Sequence, residues 1–206
     1  MVEDGLELET GMRLILSRKG FDSSAGGVAS PIFEDGSMLS LPIPERGSGT
    51  SYGELAWNGR SVGDVVEALT RGKRPASHHV HLDPDLIAEM RPRRRGWRAS
   101  FGQCSAAQTV LLRSGVGPGD LFLFFGWFRR VREERGGLVY QRGAPDLHVL
   151  FGWLQVGEVL APAAGKVPAW AEDHPHVVGA QRTNNALYVA SEQLDPPPIR
   201  WTPGLW

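Results

Sequence analysis

The chain has 206 residues, of which 41% are hydrophobic, and a formal net charge of −1, so it can form a core and is not a polycation. No apolar run reaches the roughly 20 residues of a membrane-spanning helix. One cysteine, Cys104, excludes an internal disulfide framework and a cysteine-rich zinc site. The acidic first ten residues lack a signal-peptide pattern, so we expect a cytoplasmic protein without membrane contact.

Short elements separated by turns are predicted in the first half, because the chain has 26 glycines and 15 prolines. The local patterns predict a strand at 12–17, a hairpin within 31–44, and helices at 61–70, 84–90 and 105–113. Ser61 is an expected N-cap for the first of these helices and Asp83 for the second. Gly115 is expected to end the third.

Two strongly apolar strands are predicted in the second half, at 121–128 and 148–160, and each contains Phe-Gly-Trp. Glycine inside a strand usually marks a bulge, a bend or the close approach of another backbone. We therefore interpret the two segments as neighbouring strands of one curved sheet. A last strand is predicted at 186–190.

No linker interrupts the pattern, so we predict one domain over residues 1–206. It has an acidic N-terminal extension, 1–11, and a proline-rich C-terminal tail, 195–206. The predicted fold class is α+β, with a curved, partly barrel-like mixed β-sheet and a few short flanking helices.

Four segments carry longer motifs: LILSRKGFDSSAGGVASPIFEDGSMLSLPIPE (14–45), HLDPDL (81–86), GVGPGDLFLFFGWFR (115–129) and HVLFGWLQVGEV (148–159). Together they resemble the third of the nucleotide modification associated domain families, from about Met12 to the strand near Val189. That family is linked to phages and bacteria that carry or meet hypermodified DNA bases. The resemblance implies DNA carrying modified bases as the partner and, as one activity, a glycosylase that excises a bulky modified base in phage defence.

The second half also resembles the β-barrel of base-flipping readers of the PUA and EVE type. This likeness rests on the pattern GDLFLFFG followed by VGEV, with a charged hairpin between two strands. Such barrels hold an extruded base in a pocket, which agrees with the implied partner.

The segment RKGFDSSAGG, residues 18–27, places two cations, a carboxylate and two hydroxyls on a glycine-hinged loop after the first strand. Asp22 is the first catalytic candidate, because a carboxylate can stabilise an oxocarbenium ion or activate water in N-glycosidic bond cleavage. The expected substrate-binding residues of the loop are Lys19, Phe21, Ser23 and Ser24. The local sequence alone favours an Asx-turn, in which Asp22 caps its own backbone, and the family resemblance reverses that preference.

The segment HHVHLDPDL, residues 78–86, supplies His81 and Asp83 as further acid–base candidates. In an extended strand His79, His81, Asp83 and Asp85 would share one face and could ligate a metal, and two more histidines follow at 174 and 176. Pro84 breaks such a strand, and a helix cap is the simpler role for Asp83. We therefore predict no metal and no cofactor, and the chain also lacks a phosphate-binding loop and a dinucleotide fingerprint.

Basic and aromatic residues supply candidate DNA contacts. Expected backbone contacts are Arg18, Arg93, Arg94, Arg95, Trp97 and Arg98, since arginines interleaved with tryptophan suit phosphate contact and stacking. Expected contacts to the extruded base are Gln103, Trp127, Arg182, Asn184 and Asn185. Solvated loops, caps and core packing are the alternative roles of these residues.

The leading hypothesis is a DNA N-glycosylase that excises a hypermodified pyrimidine, such as glucosylated hydroxymethylcytosine, from phage DNA and leaves an abasic site. The alternative is a non-catalytic reader that flips and binds the modified base. A third hypothesis is an enzyme that builds the modification, against which the missing cofactor signatures argue. No obligatory protein partner is evident from the sequence.

Overall fold

The computed structural model describes residues 11–165, 167–179 and 181–194. Its strands there are β1 (Leu14–Arg18), β2 (Ser30–Ile32), β3 (Ile43–Pro44), β4 (Ala56–Trp57), β5 (Arg60–Ser61), β6 (Val80–His81), β7 (Ser100–Gln103), β8 (Leu121–Glu134), β9 (Gly137–Tyr140), β10 (Leu147–Leu160) and β11 (Ala186–Ala190). The α-helices are α1 (Val62–Leu69), α2 (Ser105–Arg113) and α3 (Pro175–Val178). Short 3-10 helices cover Tyr52–Glu54, Ala88–Met90, Pro162–Ala164 and Ala169–Ala171.

A 7-stranded mixed sheet dominates the fold, in the order β1-β8-β10-β11-β7, with β2 and β9 also paired to β8. Strands β1 and β2 run parallel to β8, whereas β10 and β9 run antiparallel to it. The end strands β1 and β7 are not paired with each other within the described residues, so this sheet stays open. The prediction of an α+β fold built on a large mixed sheet is confirmed.

The two Phe-Gly-Trp segments lie in β8 and β10, which are neighbours in the sheet as predicted. A bulge interrupts their pairing between Leu150 and Gly152. At Gly126 a Cβ atom would lie 2.7 Å from the carbonyl oxygen of Lys19. One glycine therefore marks an irregularity of the sheet, and the other lets the backbone that follows β1 approach closely.

Apolar residues form two cores. One lies under α1, whose apolar positions recur at helical spacing, and includes Phe21 and Tyr52. The other packs aromatic rings from β7, β8 and β11 against one another, with Phe101 within 4.9 to 5.9 Å of the rings of Phe122, Phe124 and Tyr188. This aromatic core contacts a polar cluster through Phe101, whose ring centre lies 4.2 Å from the ammonium of Lys19.

Most predicted elements are present with small shifts of their ends. Ser61 caps α1 through its side chain, which accepts the N–H of Asp64. The predicted hairpin within 31–44 is reduced to a tight turn with one bridge, Ile32 to Met38, because β2 pairs with β8 and β3 with β6.

The helix predicted at 84–90 is wrong, since only Ala88–Met90 forms a 3-10 turn and its N-cap is Ile87. Asp83 caps nothing there. Its carboxylate has buried partners elsewhere in the chain, and these replace the local backbone bonds that the pattern suggested.

None of the helices in the described ranges has the length and apolar character needed to cross a bilayer.

Candidate functional site

A buried carboxylate, Asp83, lies where distant segments of the chain meet. It follows β6, Lys19 follows β1, and Gly102 lies within β7. His174 and His176 stand at the start of α3. The pairing of β7 with β11, and the packing of α3 on both strands, bring these segments together.

Both oxygens of Asp83 are engaged, and its side chain is only 1% exposed. Oδ1 accepts the backbone N–H of Gly102 at 2.6 Å, and Oδ2 accepts from the Lys19 ammonium at 3.2 Å. The ammonium also lies 4.2 Å from the centre of the Phe101 ring. Burial alone raises the pKa of Asp83, but the charge of Lys19 leads the effects that oppose burial, and the pKa is held below its usual value. Asp83 is therefore an internal anion with Lys19 as its counter-charge.

In two imidazoles of the cluster, Nδ1 is turned to an oxygen acceptor outside it. Nδ1 of His81 lies 2.7 Å from Oε2 of Glu45, and Nδ1 of His176 lies 2.7 Å from Oδ1 of Asn185. Asn185 Nδ2 donates to the carbonyl of His176, which fixes Oδ1 as the acceptor. A neutral ring in either position therefore carries its proton on Nδ1 and its lone pair on Nε2. His81 Nε2 lies 3.9 Å from Asp83 Oδ2.

His174 is the third imidazole of the cluster, and its tautomer is the opposite of that of His81 and His176. Its Nδ1 accepts the N–H of His176 at 3.2 Å, so the neutral ring carries its proton on Nε2. That Nε2 lies 3.7 Å from Asp83 Oδ1, too far for a hydrogen bond, and has no other partner among the described residues. Burial lowers the pKa of His174 to about 3 and also lowers the pKa of His176, so both rings are neutral at pH 7.

Glu45 is held from two sides. It lies beside His81 and accepts a hydrogen bond from the guanidinium of Arg182. Burial alone would raise its pKa, but His81 and Arg182 together lower it. The charged groups around Asp83 are therefore paired in a chain that reaches from the buried anion to the surface.

An apolar cavity of about 440 Å³ adjoins the cluster. Gly20 and Asp83 contribute to its wall, together with the aromatic residues Trp57, Phe151 and Trp153. Its volume lies in the range of small-molecule sites, roughly 300 to 1,000 Å³. Trp153 is 52% exposed and lies at the surface, whereas Trp57 is buried. A flat ring bound in this cavity would lie near aromatic side chains and near Asp83.

Residues of the glycine-hinged loop, 18–27, lie in three different places: the apolar core, the Asp83 cluster and a turn at the surface. Phe21 is buried against Tyr52, and Gly26 crosses so close to the Phe21 ring that a Cβ would lie 2.2 Å from it. Asp22 Oδ1 accepts the N–H and hydroxyl of Ser24 and the N–H of the residue after it, at 2.6 to 2.8 Å. The hydrogen bond from Ser24 leads the effects that lower the pKa of Asp22. The described residues thus place Asp22 in an Asx-turn; its catalytic role stays a prediction.

The arginine-rich segment is largely engaged inside the protein. Arg93 forms a bidentate pair with buried Asp85 at 2.6 and 2.7 Å and stacks on Trp97, 4.4 Å from the ring centre. Arg94 pairs with Glu172 at the surface. Arg98, for its part, donates to the Ala190 carbonyl and lies 3.8 Å from Glu158. Arg18 and Arg95 are exposed and form no ion pair within the described residues. These two guanidinium groups are available to a phosphate without breaking an internal contact.

The remaining candidates fall into two groups. Asn185 and Arg182 belong to the outer partners of the cluster. Gln103 accepts the N–H of Cys104, and Asn184 donates to Thr109 at 2.8 Å. Trp127 is half-buried on β8, and Ser23 is exposed. Their roles in binding a base stay predictions.

Sequence reasoning missed Glu45, Gly102 and the placement of His174 and His176. Glu45 ends the long first motif, and the two histidines flank a proline, but none of these local patterns signals contact with Asp83. Only glycine fits at position 102 without a shift of its neighbours, because a Cβ there would lie 2.2 Å from the ring of His176.

A comparison with protein-family models matches residues 13–204 to nucleotide modification associated domain 3. The chain belongs to this family. The predicted family is thereby confirmed, and it sets the chain in the context of nucleotide modification. The comparisons with curated proteins and with solved structures each give no significant match.

Membership of nucleotide modification associated domain 3 covers the whole described cluster, from Lys19 through Asp83 to Asn185. It fits an enzymatic or DNA-related role and does not specify a reaction.

Proposed function

We propose that this chain is a DNA N-glycosylase that excises a hypermodified pyrimidine, such as glucosylated hydroxymethylcytosine, and leaves an abasic site. The observation that carries the proposal is the buried anion Asp83, a residue in the wall of a cavity that is also lined by Trp57, Phe151 and Trp153. The family supplies the context of modified nucleotides. Enzymes that act on a base within DNA first extrude it into such a pocket.

The chemistry requires a negative charge near the sugar. As the bond between C1′ and the base nitrogen breaks, its electron pair leaves with the base, and positive charge develops on C1′ and the ring oxygen. Asp83 is anionic and held by Gly102 and Lys19, so it can stabilise that charge without rearrangement. Water then gives its hydroxyl to C1′ and its proton to the departing base nitrogen, which balances the reaction.

His81 is the acid–base group of the proposal. Glu45 holds its Nδ1, so its Nε2 lone pair faces Asp83 and can take the proton from the attacking water and pass it on to the departing base nitrogen. Lys19 keeps Asp83 charged before the substrate binds. The Asx-turn around Asp22 orders the loop that carries Lys19, and we assign Asp22 this supporting role in place of the chemistry first expected of it.

The DNA strand would be held on the side from which the cavity opens. Trp153, half exposed at the cavity, is the proposed stacking partner of the extruded base. Arg18 and Arg95 are the proposed phosphate contacts, since their guanidinium groups are exposed and lack internal ion pairs among the described residues.

The test compares wild type, Asp83→Asn and Asp22→Asn on glucosylated and unmodified phage DNA in EDTA. Released base is identified by mass spectrometry, and abasic sites are counted. The proposal expects release from modified DNA only, with activity lost in Asp83→Asn and kept in Asp22→Asn. Release by Asp83→Asn at the wild-type rate would remove Asp83 from the mechanism.

The second candidate is a reader that binds the extruded base without cleaving it. The ion pair between Lys19 and Asp83 favours it, because a neutralised carboxylate needs no catalytic role. A reader would bind modified DNA more tightly than unmodified DNA, and no base would be released on long incubation at saturating protein.

A further inference from the structure

Acceptor groups of three residues, His81, Asp83 and His176, converge, and the Lys19 ammonium is the cation paired with the carboxylate among them. The Nε2 atoms of His81 and His176 carry lone pairs, because Nδ1 of each ring is turned to an acceptor. The third acceptor is the carboxylate of Asp83, and one ligand atom from each of the three residues lies within 4.8 Å of the other two. All three residues are buried. Buried acceptors that face one another are unfavourable unless a cation or a proton lies among them.

Hydrogen bonding does not account for this convergence. His81 Nε2 lies 3.9 Å from Asp83, and the buried Nε2 of His174, which is 4% exposed, lies 3.7 Å from the same carboxylate and has no partner among the described residues. Both distances exceed hydrogen-bond length. The distance between His81 Nε2 and Asp83 Oδ2 approaches the spacing of two ligands on one metal ion, about 3.4 Å for tetrahedral coordination with bonds near 2.1 Å.

Each of the three acceptors also has the outer partner that metal ligands usually have. A carboxylate and an amide oxygen hold the Nδ1 atoms of His81 and His176. The Asp83 carboxylate accepts the N–H of Gly102, and the Nε2–H of His174 faces its Oδ1. Such partners fix tautomer and orientation and raise the basicity of the ligands.

We propose that His81 Nε2, Asp83 and His176 Nε2 bind one divalent transition-metal ion. Two imidazoles and one carboxylate on one side of an ion form a donor set typical of zinc and non-haem iron(II). Of the three ligands, Asp83 also lies in the wall of the apolar cavity. This proposal departs from the sequence prediction of no metal.

Lys19 is the competitor for this ion. Its ammonium lies 3.2 Å from Asp83 Oδ2 and supplies the positive charge that the three acceptors need in the metal-free chain. Metal binding would displace the ammonium from Asp83. The ion would occupy Asp83 and His81 Nε2, which the proposed excision uses without metal, so excision is tested in EDTA and the ion site by metal uptake.

The test titrates the metal-stripped full chain with cobalt(II), which reports coordination by its visible absorption, and measures bound metal after dialysis. We expect one ion per chain in wild type and in the control His78→Ala, an exposed histidine outside the cluster. Binding should be lost in His176→Ala and Asp83→Asn. Asn185→Ala, which keeps all three ligands, should bind about 10–100-fold more weakly.

Lys19→Met keeps the test decisive if a ligand variant fails to fold. Without the competing ammonium, cobalt(II) should bind more tightly and raise the melting temperature more than it does in wild type. The proposal is overturned if wild type takes up no stoichiometric ion, if His176→Ala binds as wild type does, or if Lys19→Met binds more weakly. Excision in EDTA is scored separately, so loss of one result leaves the other intact.

Discussion

Gly102→Ala tests whether the cluster depends on the close contact between β7 and α3. Gly102 does not have a positive φ, so alanine is allowed by the backbone. Its Cβ would nevertheless lie 2.2 Å from Cγ and Cδ2 of His176 and 2.8 Å from the Cβ of that residue. The His176 ring cannot swing aside freely, because Asn185 holds both its Nδ1 and its carbonyl oxygen.

The cost follows from this overpacking. Adding one methyl group to a tightly packed site destabilises a protein by about 1–3 kcal/mol. For a chain of this size each kcal/mol lowers the melting temperature by about 2–4 °C, so we expect a fall of roughly 2–12 °C. Because His176 has to move, cobalt(II) binding should weaken together with stability.

Thermal unfolding followed by circular dichroism, with a cobalt(II) titration of the same samples, measures both effects. Gly136→Ala is the matched control, since that glycine also lacks a positive φ and its Cβ would meet nothing within 4 Å. His176→Gly removes all three contacting atoms, so Gly102→Ala should cost less in that background. Wild-type melting and cobalt(II) affinity in Gly102→Ala would refute the packing argument.

Three further substitutions test the ion pair, the stacking residue and the Asx-turn. Lys19→Met leaves a buried anion unpaired and should lower the free energy of unfolding by about 3–5 kcal/mol, measured by urea denaturation; an unchanged midpoint would contradict the ion pair. Trp153→Ala should weaken binding of modified DNA by about 1–3 kcal/mol in a titration, with little change in melting because the side chain is 52% exposed; equal affinity would exclude stacking. Asp22→Asn keeps an oxygen acceptor for the turn, so excision and melting should both stay near wild type, and a lost reaction with normal melting would return Asp22 to the chemistry.

Local pattern was enough for most of the secondary structure. Helix α2 and strand β11 have the predicted bounds, since apolar spacing and caps are encoded within a few residues. The glycines of the two Phe-Gly-Trp segments were correctly expected to mark irregular or crowded backbone. The helix predicted after Asp83 failed because tertiary partners outweighed a local cap.

The cluster could be predicted only in part. His81 and Asp83 were candidates because acid–base side chains stand close together in HLD. Their partners are separated from them by long stretches of chain: Lys19 and Asp83 are 64 positions apart. No periodicity encodes such contacts; they arise from the parallel pairing of β1 with β8 and from α3 packing beside β7.

The arginine-rich segment shows the same limit. Its composition suggests a surface that binds phosphate, but Arg93 pairs with Asp85, eight residues earlier, and also stacks on Trp97. A guanidinium that forms two hydrogen bonds to a buried carboxylate is not available to a phosphate unless that pair breaks. Only exposure, which the sequence does not give, separates such an arginine from Arg95.

The most direct test of the central claim is base release from glucosylated phage DNA by wild type and Asp83→Asn in EDTA. The account predicts that wild type releases the modified base and leaves abasic sites, while Asp83→Asn is slower by about 10²–10³-fold. Folding of the variant is checked by its melting curve. Release at equal rates by the two proteins, or none by wild type, would contradict a glycosylase centred on Asp83.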